Sequence, residues 1–251
     1  MEETPSAPPE QATPLRTGYV ALLGLPNAGK STLMNTLVGE KLSIVTPKAQ
    51  TTWQRVTGIA TSDTTQMVFL DTPGLLDVRG LFQRSMLQAA LEAAEEADVA
   101  LLVVDAVRAR RGEWMSPGMG EALDRTRAPL VVAINKCDLV DGAQAHELAA
   151  RVRDELGGDP YQVSALTGQG MGELRDALEA ALPMGPVLYP PDDIASQPVR
   201  FFVAELVRET VFEQYHQEIP YSVFCQVEEF REDQDPIYIG VTVFVERKSQ
   251  Q

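Results

Sequence analysis

Apolar residues in the first two thirds of the chain come in short runs that stop abruptly at glycine or at a polar residue. "GYVALLG" (18–24), "VALLVVDA" (99–106) and "PLVVAINK" (129–136) are continuous and rich in β-branched residues, the pattern of strands covered on both faces. "TGIATSDTTQMVFLDTPG" (57–74) carries two β-prone runs about a polar Ser-Asp-Thr-Thr turn and predicts a hairpin. "KSTLMNTLVG" and "LQAALEAAEEAD" read as helices, as do the segments near 121–127, 143–156 and 172–182. Strand–helix alternation around buried strands predicts an α/β fold: a mostly parallel, six-stranded sheet with helices on both faces, spanning 17–184.

The pattern then changes. "LPMGPVLYPPDDIASQP" is proline-rich, and its 185–198 portion predicts an extended, semi-rigid linker. Beyond it, Val199, Phe202, Val203, Leu206 and Thr210 fall on one helical face. Residues 222–227 and 237–245 alternate at period two, so 199–251 reads as α–β–β. A helix and two strands bury little by themselves, so this unit is expected either to dock on the first domain or to be poorly ordered. Residues 1–16, opening "MEETPSAPPE", are expected to form a disordered tail.

Composition narrows the class. The 251 residues are 44% hydrophobic and 23% charged, ordinary for a soluble globular protein. The formal charge of −15 argues against a general nucleic-acid binder and gives no reason to expect DNA as a partner. Two cysteines, Cys137 and Cys225, form no disulfide framework and point to a reducing, cytoplasmic setting. Cys137 occupies a variable motif position, Cys225 reads as core filler in a strand, and His146 and His216 have no metal-ligand spacing around them.

Chemistry enters at "GLPNAGKS". Gly24, Leu25, Pro26, Asn27, Ala28, Gly29, Lys30 and Ser31 match the phosphate-loop pattern, with Thr32 following into a helix. Glycines let backbone N–H groups wrap phosphates at a helix N-terminus, Lys30 adds charge at the outer phosphates, and Ser31 can ligate Mg²⁺. "DTPG" closes the hairpin: Asp71 can hold the Mg²⁺ shell, the Gly74 N–H can reach a γ-phosphate, and Thr72 and Pro73 between them are counted with the nucleotide-binding residues. "NKCD" ends another strand. A carboxylate at Asp138 can accept from the guanine ring N–H and amino group, Asn135 can bond the base edge, and the Lys136 stem can lie over the ring. "SAL", Ser164, Ala165 and Leu166, can supply a backbone N–H to the guanine carbonyl. Four such motifs in order at successive strand ends predict a guanine-nucleotide site, GTP or GDP with Mg²⁺. The residue after Gly74 is Leu75, where Ras-like hydrolases carry a water-orienting glutamine.

These motifs resemble the Era family, the bacterial ribosome-assembly GTPases with a P-loop, Ras-like domain followed by a type II KH domain. The resemblance rests on "GLPNAGKSTLMNTLVGEKLSIVTPKAQTTWQR", "DTPG", "NKCD" and "SAL", and on "YPPD…VRFFVAELVRE…EIPYSVFCQVEEF…YIGVTVFVERKSQ". It implies GTP hydrolysis by a switch serving 30S subunit maturation, with 16S rRNA and the small ribosomal subunit as partners. Switch I would be "TPKAQTTWQR", with Thr52, or else Thr51, as the Mg²⁺ ligand that senses the γ-phosphate; Trp53 stands where the family usually has a basic residue. Asn27 matches the asparagine with which related GTPases hold K⁺, so slow, K⁺-stimulated hydrolysis is expected, with Lys30, Asn27, Thr52 and Gly74 as the catalytic set. Leu75 is expected to pack within switch II. The family's RNA-gripping G-x-x-G loop does not appear after "VERKSQQ", and 191–251 holds twelve acidic and five basic residues, so this chain is expected to bind RNA poorly. Two alternatives are a non-catalytic nucleotide-dependent binding module and a GTPase with another client, in tRNA modification or at a membrane surface. Weak peripheral contact with the inner membrane face is left open.

Overall fold

Buried β-branched runs need partners on both sides, and the computed structural model shows how they find them; it describes residues 15–46, 52, 54–75, 81–215 and 223–245. Strands β1 (Leu15–Leu23), β2 (Val56–Thr61), β3 (Thr65–Asp71), β4 (Val99–Asp105), β5 (Leu130–Asn135) and β6 (Tyr161–Gln162) lie in the order β2-β3-β1-β4-β5-β6. β1 is flanked in parallel by β3 and β4, β5 continues the parallel run to β6, and the β2–β3 hairpin is antiparallel. Helices α1 (Lys30–Val38), α2 (Leu81–Glu96), α3 (Ala106–Ala109), α4 (Pro117–Arg125), α5 (Gly142–Leu156) and α6 (Met171–Ala181) cover the faces. Two apolar cores result, one under α2, α4 and α5 around Leu102 and Ile134, the other under α1 and α6 around Leu22 and Leu101.

The sheet has a seventh strand that the apolar pattern did not predict. Met184–Gly185 forms β7, which pairs antiparallel with Leu15 and Arg16 at the start of β1. β1 therefore begins inside the segment read as a disordered tail. Arg16 hides the signal, being charged, but its guanidinium donates to the Ala180 and Leu182 carbonyls at 3.1 and 2.8 Å. Residues 1–14 lie outside the described residues.

The proline-rich segment is a strap along β2 and β3. Gln66, wholly buried, uses its whole amide: Nε2 donates to Thr61 Oγ1 and Tyr189 O, and Oε1 accepts from the Leu188 and Tyr189 amides. Farther along, the Ile59 N–H donates to Ile194 O at 2.8 Å, and Ala195 bridges to Gly58. The free edge of β2 is thereby covered.

The last unit comprises α7 (Val199–Gln214), β8 (Val223–Arg231) and β9 (Tyr238–Val245), the two strands pairing antiparallel. Of the two expected outcomes, docking is the one observed: Phe201 and Phe202 pack against the second core, and Glu209 reaches the segment after α1. The inward face, however, is not the apolar one. Leu206 is 50% exposed, with Val199 and Thr210 also outside, whereas Glu205, Arg208, Glu209 and Phe212 are buried. Arg208 and Glu205 satisfy each other through two hydrogen bonds of 2.8 and 2.7 Å, so burial of this polar face leaves both charges paired.

Candidate nucleotide site

The carboxyl ends of β1, β3, β4 and β5 all face one mouth, where open α/β sheets bind ligands. There the β1–α1 loop turns around a cavity of about 340 Å³. Gly29 has φ +91°, and a Cβ there would lie 2.3 Å from Asn135 Nδ2, so only glycine lets the loop pass beneath the base corner. No side chain caps α1 and no acid sits in its first turn, so its free N–H groups and positive dipole end face the cavity. Pro26, Asn27, Gly29, Lys30, Ser31 and Thr32 line this wall, whereas Leu25 and Ala28 turn into the cores and Gly24 offers its carbonyl.

Lys30 is buried, and its ammonium donates to the Gly24 and Leu25 carbonyls at 3.1 and 3.2 Å. Burial lowers its pKa to about 8, with the Asp71 charge opposing that shift. Asp71 is 0% exposed, and burial raises its pKa, against the pull of Lys30 and of the Ser31 hydroxyl. Ser31 Oγ donates to Asp71 Oδ2 at 2.7 Å and sits 3.1 Å from Thr52 Oγ1. Asp71 Oδ1 is buried with no hydrogen-bond partner among the described residues. An orphaned carboxylate oxygen beside two hydroxyls is a hard-oxygen set suited to Mg²⁺, so the residues present fit that ion. Of the candidate switch I ligands, Thr52 stands at this point; Thr51, Trp53 and residues 47–50 lie outside the described residues.

Switch II begins at the same place. Gly74 lines the cavity against Pro26, and the Leu75 N–H donates to Gly24 O at 3.1 Å. The Thr72 hydroxyl, fully buried, donates to Leu22 O at 2.7 Å and Pro73 is buried, so these two hold the turn and do not face the cavity. Leu75 is 1% exposed within the first core, as expected of a residue outside the chemistry. Its carbonyl accepts from Ser116 Oγ, which also caps α4.

At the base corner one residue also has a structural role. Asn135, expected at the base edge, is 2% exposed: Nδ2 donates to Ala28 O and Oδ1 accepts from the Ala165 N–H, both at 2.9 Å, which leaves the second Nδ2 hydrogen to meet a base. It bolts the phosphate loop to the "SAL" loop. Ser164 Oγ accepts from the Thr167 N–H, and the Ser164 N–H donates to Gln169 O. With the Ala165 amide taken by Asn135, Leu166 is left to offer an N–H, and its side chain is 82% exposed. Asp138 is exposed in a 3-10 turn, Cys137–Leu139, and Lys136 lines the cavity with φ +65°.

Several residues that hold the site carry no motif. Asn35 accepts from the Leu42 and Ser43 amides and donates to Ser43 O, fixing the chain where it leaves α1 for switch I. Thr36 donates to Ala165 O, and Arg108 to Pro26 O. Asp105 ends β4 as Asp71 ends β3, a signal the pattern did offer; it lies 2.6 Å from Lys136 Nζ.

A phosphate loop on an uncapped helix, an aspartate bonded to its serine, and an N-K-x-D corner at the same sheet edge define a P-loop GTPase. A family model described as "50S ribosome-binding GTPase" matches residues 19–136. The chain is 43% identical over 239 residues to GTPase Era of Mesorhizobium japonicum, covering 93% of this chain and 76% of that protein. Two solved structures superpose with TM-scores of 0.85 at 32% identity over 94% of this chain. One is Era in complex with MgGDPNP and nucleotides 1506-1542 of 16S ribosomal RNA; the other is a single-residue variant of Aquifex aeolicus Era bound to GDP.AlF4⁻. The chain belongs to the Era family, and is a GTP-hydrolysing enzyme.

Proposed function

We propose that this GTPase is a slow molecular switch in maturation of the small ribosomal subunit, acting on 16S rRNA in the cytoplasm. The observation that carries this reading is the likeness to the Era–RNA complex, which extends through the α7–β8–β9 unit as well as the GTPase domain. The family model's description names the large subunit, but that match ends at residue 136 and says nothing of the C-terminal unit.

In the proposed site, Lys30, the α1 N-terminus and the Gly74 N–H surround the phosphates with positive charge and donors. Ser31, Thr52 and Asp71 would hold Mg²⁺, which supplies charge neutralisation between the β- and γ-phosphates. Asn135, Lys136, Asp138 and the Leu166 N–H receive the guanine. With Leu75 in the core, no side chain follows Gly74 to orient water, and intrinsic turnover of order 10⁻⁴ s⁻¹ is expected, as for unassisted Ras-type sites. Asn27 is exposed on the cavity wall, the position from which it would hold K⁺. Hydrolysis would release Thr52 and Gly74 together, changing partner affinity.

Phosphate release from purified protein tests the catalytic part: faster release in K⁺ than in Na⁺ at matched ionic strength is expected, and equal rates would remove Asn27 from catalysis. Filter binding of a fragment spanning nucleotides 1506-1542 of 16S ribosomal RNA, with a non-hydrolysable GTP analogue and then GDP, tests the client. Tighter binding in the first is expected; equal affinity would end the switch reading.

A further inference from the structure

Strand β4 ends in a carboxylate that belongs to none of the four nucleotide motifs. Asp105 is 7% exposed, and its two oxygens do different things. Oδ1 accepts from the Val107 and Arg108 amides at 2.8 and 3.1 Å and caps α3. Oδ2 lies 2.6 Å from the Lys136 ammonium, which also donates to Asn27 O at 2.5 Å. A cap needs one acceptor, and asparagine serves as well as aspartate. The cap therefore does not account for a charge directed at Lys136.

Lys136 itself is held in a left-handed backbone conformation, uncommon for a residue with a side chain. Its stem lines the nucleotide cavity, and its head is pinned between β4 and the phosphate loop. A lysine stem left to itself samples many rotamers, and a ligand packing on it must freeze them. Held by Asp105 and Asn27 O, the stem is ordered before the base arrives.

We propose that Asp105 is a positioning residue for the guanine nucleotide: it fixes Lys136 against the Asn27 carbonyl and so locks the base corner to the phosphate loop. This rests on assigning the base to the 135–138 corner.

The test is stopped-flow release of fluorescently labelled GDP from the full chain carrying Asp105→Asn, Lys136→Met, or both. Asp105→Asn keeps an acceptor for the α3 amides and removes the anion. It is expected to release GDP roughly tenfold faster, the loss of one charge-assisted hydrogen bond. Lys136→Met should do likewise, and the double variant should be no faster than Lys136→Met alone, because Asp105 acts through Lys136. Nucleotide-free Asp105→Asn should unfold no earlier than nucleotide-free Lys136→Met, since both lose the same pair; markedly earlier unfolding of Asp105→Asn would show a folding role beyond Lys136 and overturn the inference. Wild-type release by Asp105→Asn beside fast release by Lys136→Met would overturn the inference and leave the base-corner assignment standing. Wild-type release by both would remove the assignment too. Multiplying effects in the double variant would show that Asp105 acts independently of Lys136, and would also overturn the inference.

Discussion

Replacing Gly74 by alanine should separate GTP from GDP. A Cβ at Gly74 would lie 2.5 Å from Pro26 N, Cα and Cγ. Pro26 belongs to the phosphate loop and cannot swing aside, so switch II must retreat. Restoring ordinary carbon contact of about 3.5 Å takes a shift of about 1 Å. A 2.9 Å hydrogen bond from the Gly74 N–H to a γ-phosphate would then stretch to about 3.9 Å and cease to be one. Loss of a hydrogen bond to a charged group costs about 1.5–3 kcal/mol, a ten- to hundredfold fall in the preference for GTP over GDP. Hydrolysis should fall about a hundredfold, since a misplacement of about 1 Å costs that much in orientation. GDP, lacking the γ-phosphate, should bind as before. Calorimetric titration with GDP and with a non-hydrolysable GTP analogue, followed by single-turnover phosphate release, measures all three. An alanine variant that hydrolyses GTP at the parent rate with the parent nucleotide preference would refute the argument.

Leu75→Gln should not restore Ras-like catalysis. The amide would enter the first core unpaired, costing about 1–3 kcal/mol besides the lost apolar contact, so urea unfolding should show a lower midpoint while phosphate release stays no faster. Glu209→Ala should loosen the stem of switch I from α7. The carboxylate accepts from the Val45 N–H at 3.1 Å and from Lys41 at 2.6 Å, but the Lys41 side chain is 57% exposed and its pair is worth little. The orphaned amide dominates, and exchange at 42–46 should rise about tenfold for each 1.4 kcal/mol lost, as hydrogen exchange would register. Nucleotide affinity should weaken as pH rises past about 8. Burial holds the pKa of Lys30 near 8 in the free protein, and phosphates that favour its charged form raise it, so binding takes up a proton above that pH. Titrations in buffers of different ionisation heat at pH about 8.5 should show that uptake; none would exclude Lys30 from the phosphates.

The parallel sheet was legible because strands such as Val99–Asp105 and Leu130–Asn135 are apolar on both faces and end where chemistry begins. The phosphate loop, Asp71 and the N-K-x-D corner were legible for a related reason: each is a fixed spacing at a strand terminus. What escaped was long-range pairing. Arg16 looks like the end of a polar tail until the Ala180 and Leu182 carbonyls arrive from more than 160 residues away. Asn135 reads as a base contact, and nothing in its spacing shows that its amide also ties Ala28 to Ala165. The helix 199–214 looks amphipathic in the ordinary sense, yet its buried face is set by the Glu205–Arg208 pair and by Glu209 meeting Lys41. Apolar periodicity cannot register a buried polar face whose charges pair within the helix, as Glu205 and Arg208 do, or with another element, as Glu209 does with Lys41. Asp105 was visible as a strand-ending acid, but its meaning depends on Lys136, thirty-one residues on.

The central claim is that Lys30, Asp71 and Asp138 serve one purine nucleotide and that Asp138 selects guanine. Titrating the Mg²⁺-supplemented protein with GDP and ADP in parallel tests it most directly. A site built to bond the guanine donors should reject adenine by about 10⁴-fold, leaving ADP without measurable heat where GDP saturates. Equal affinity for the two would contradict the assignment.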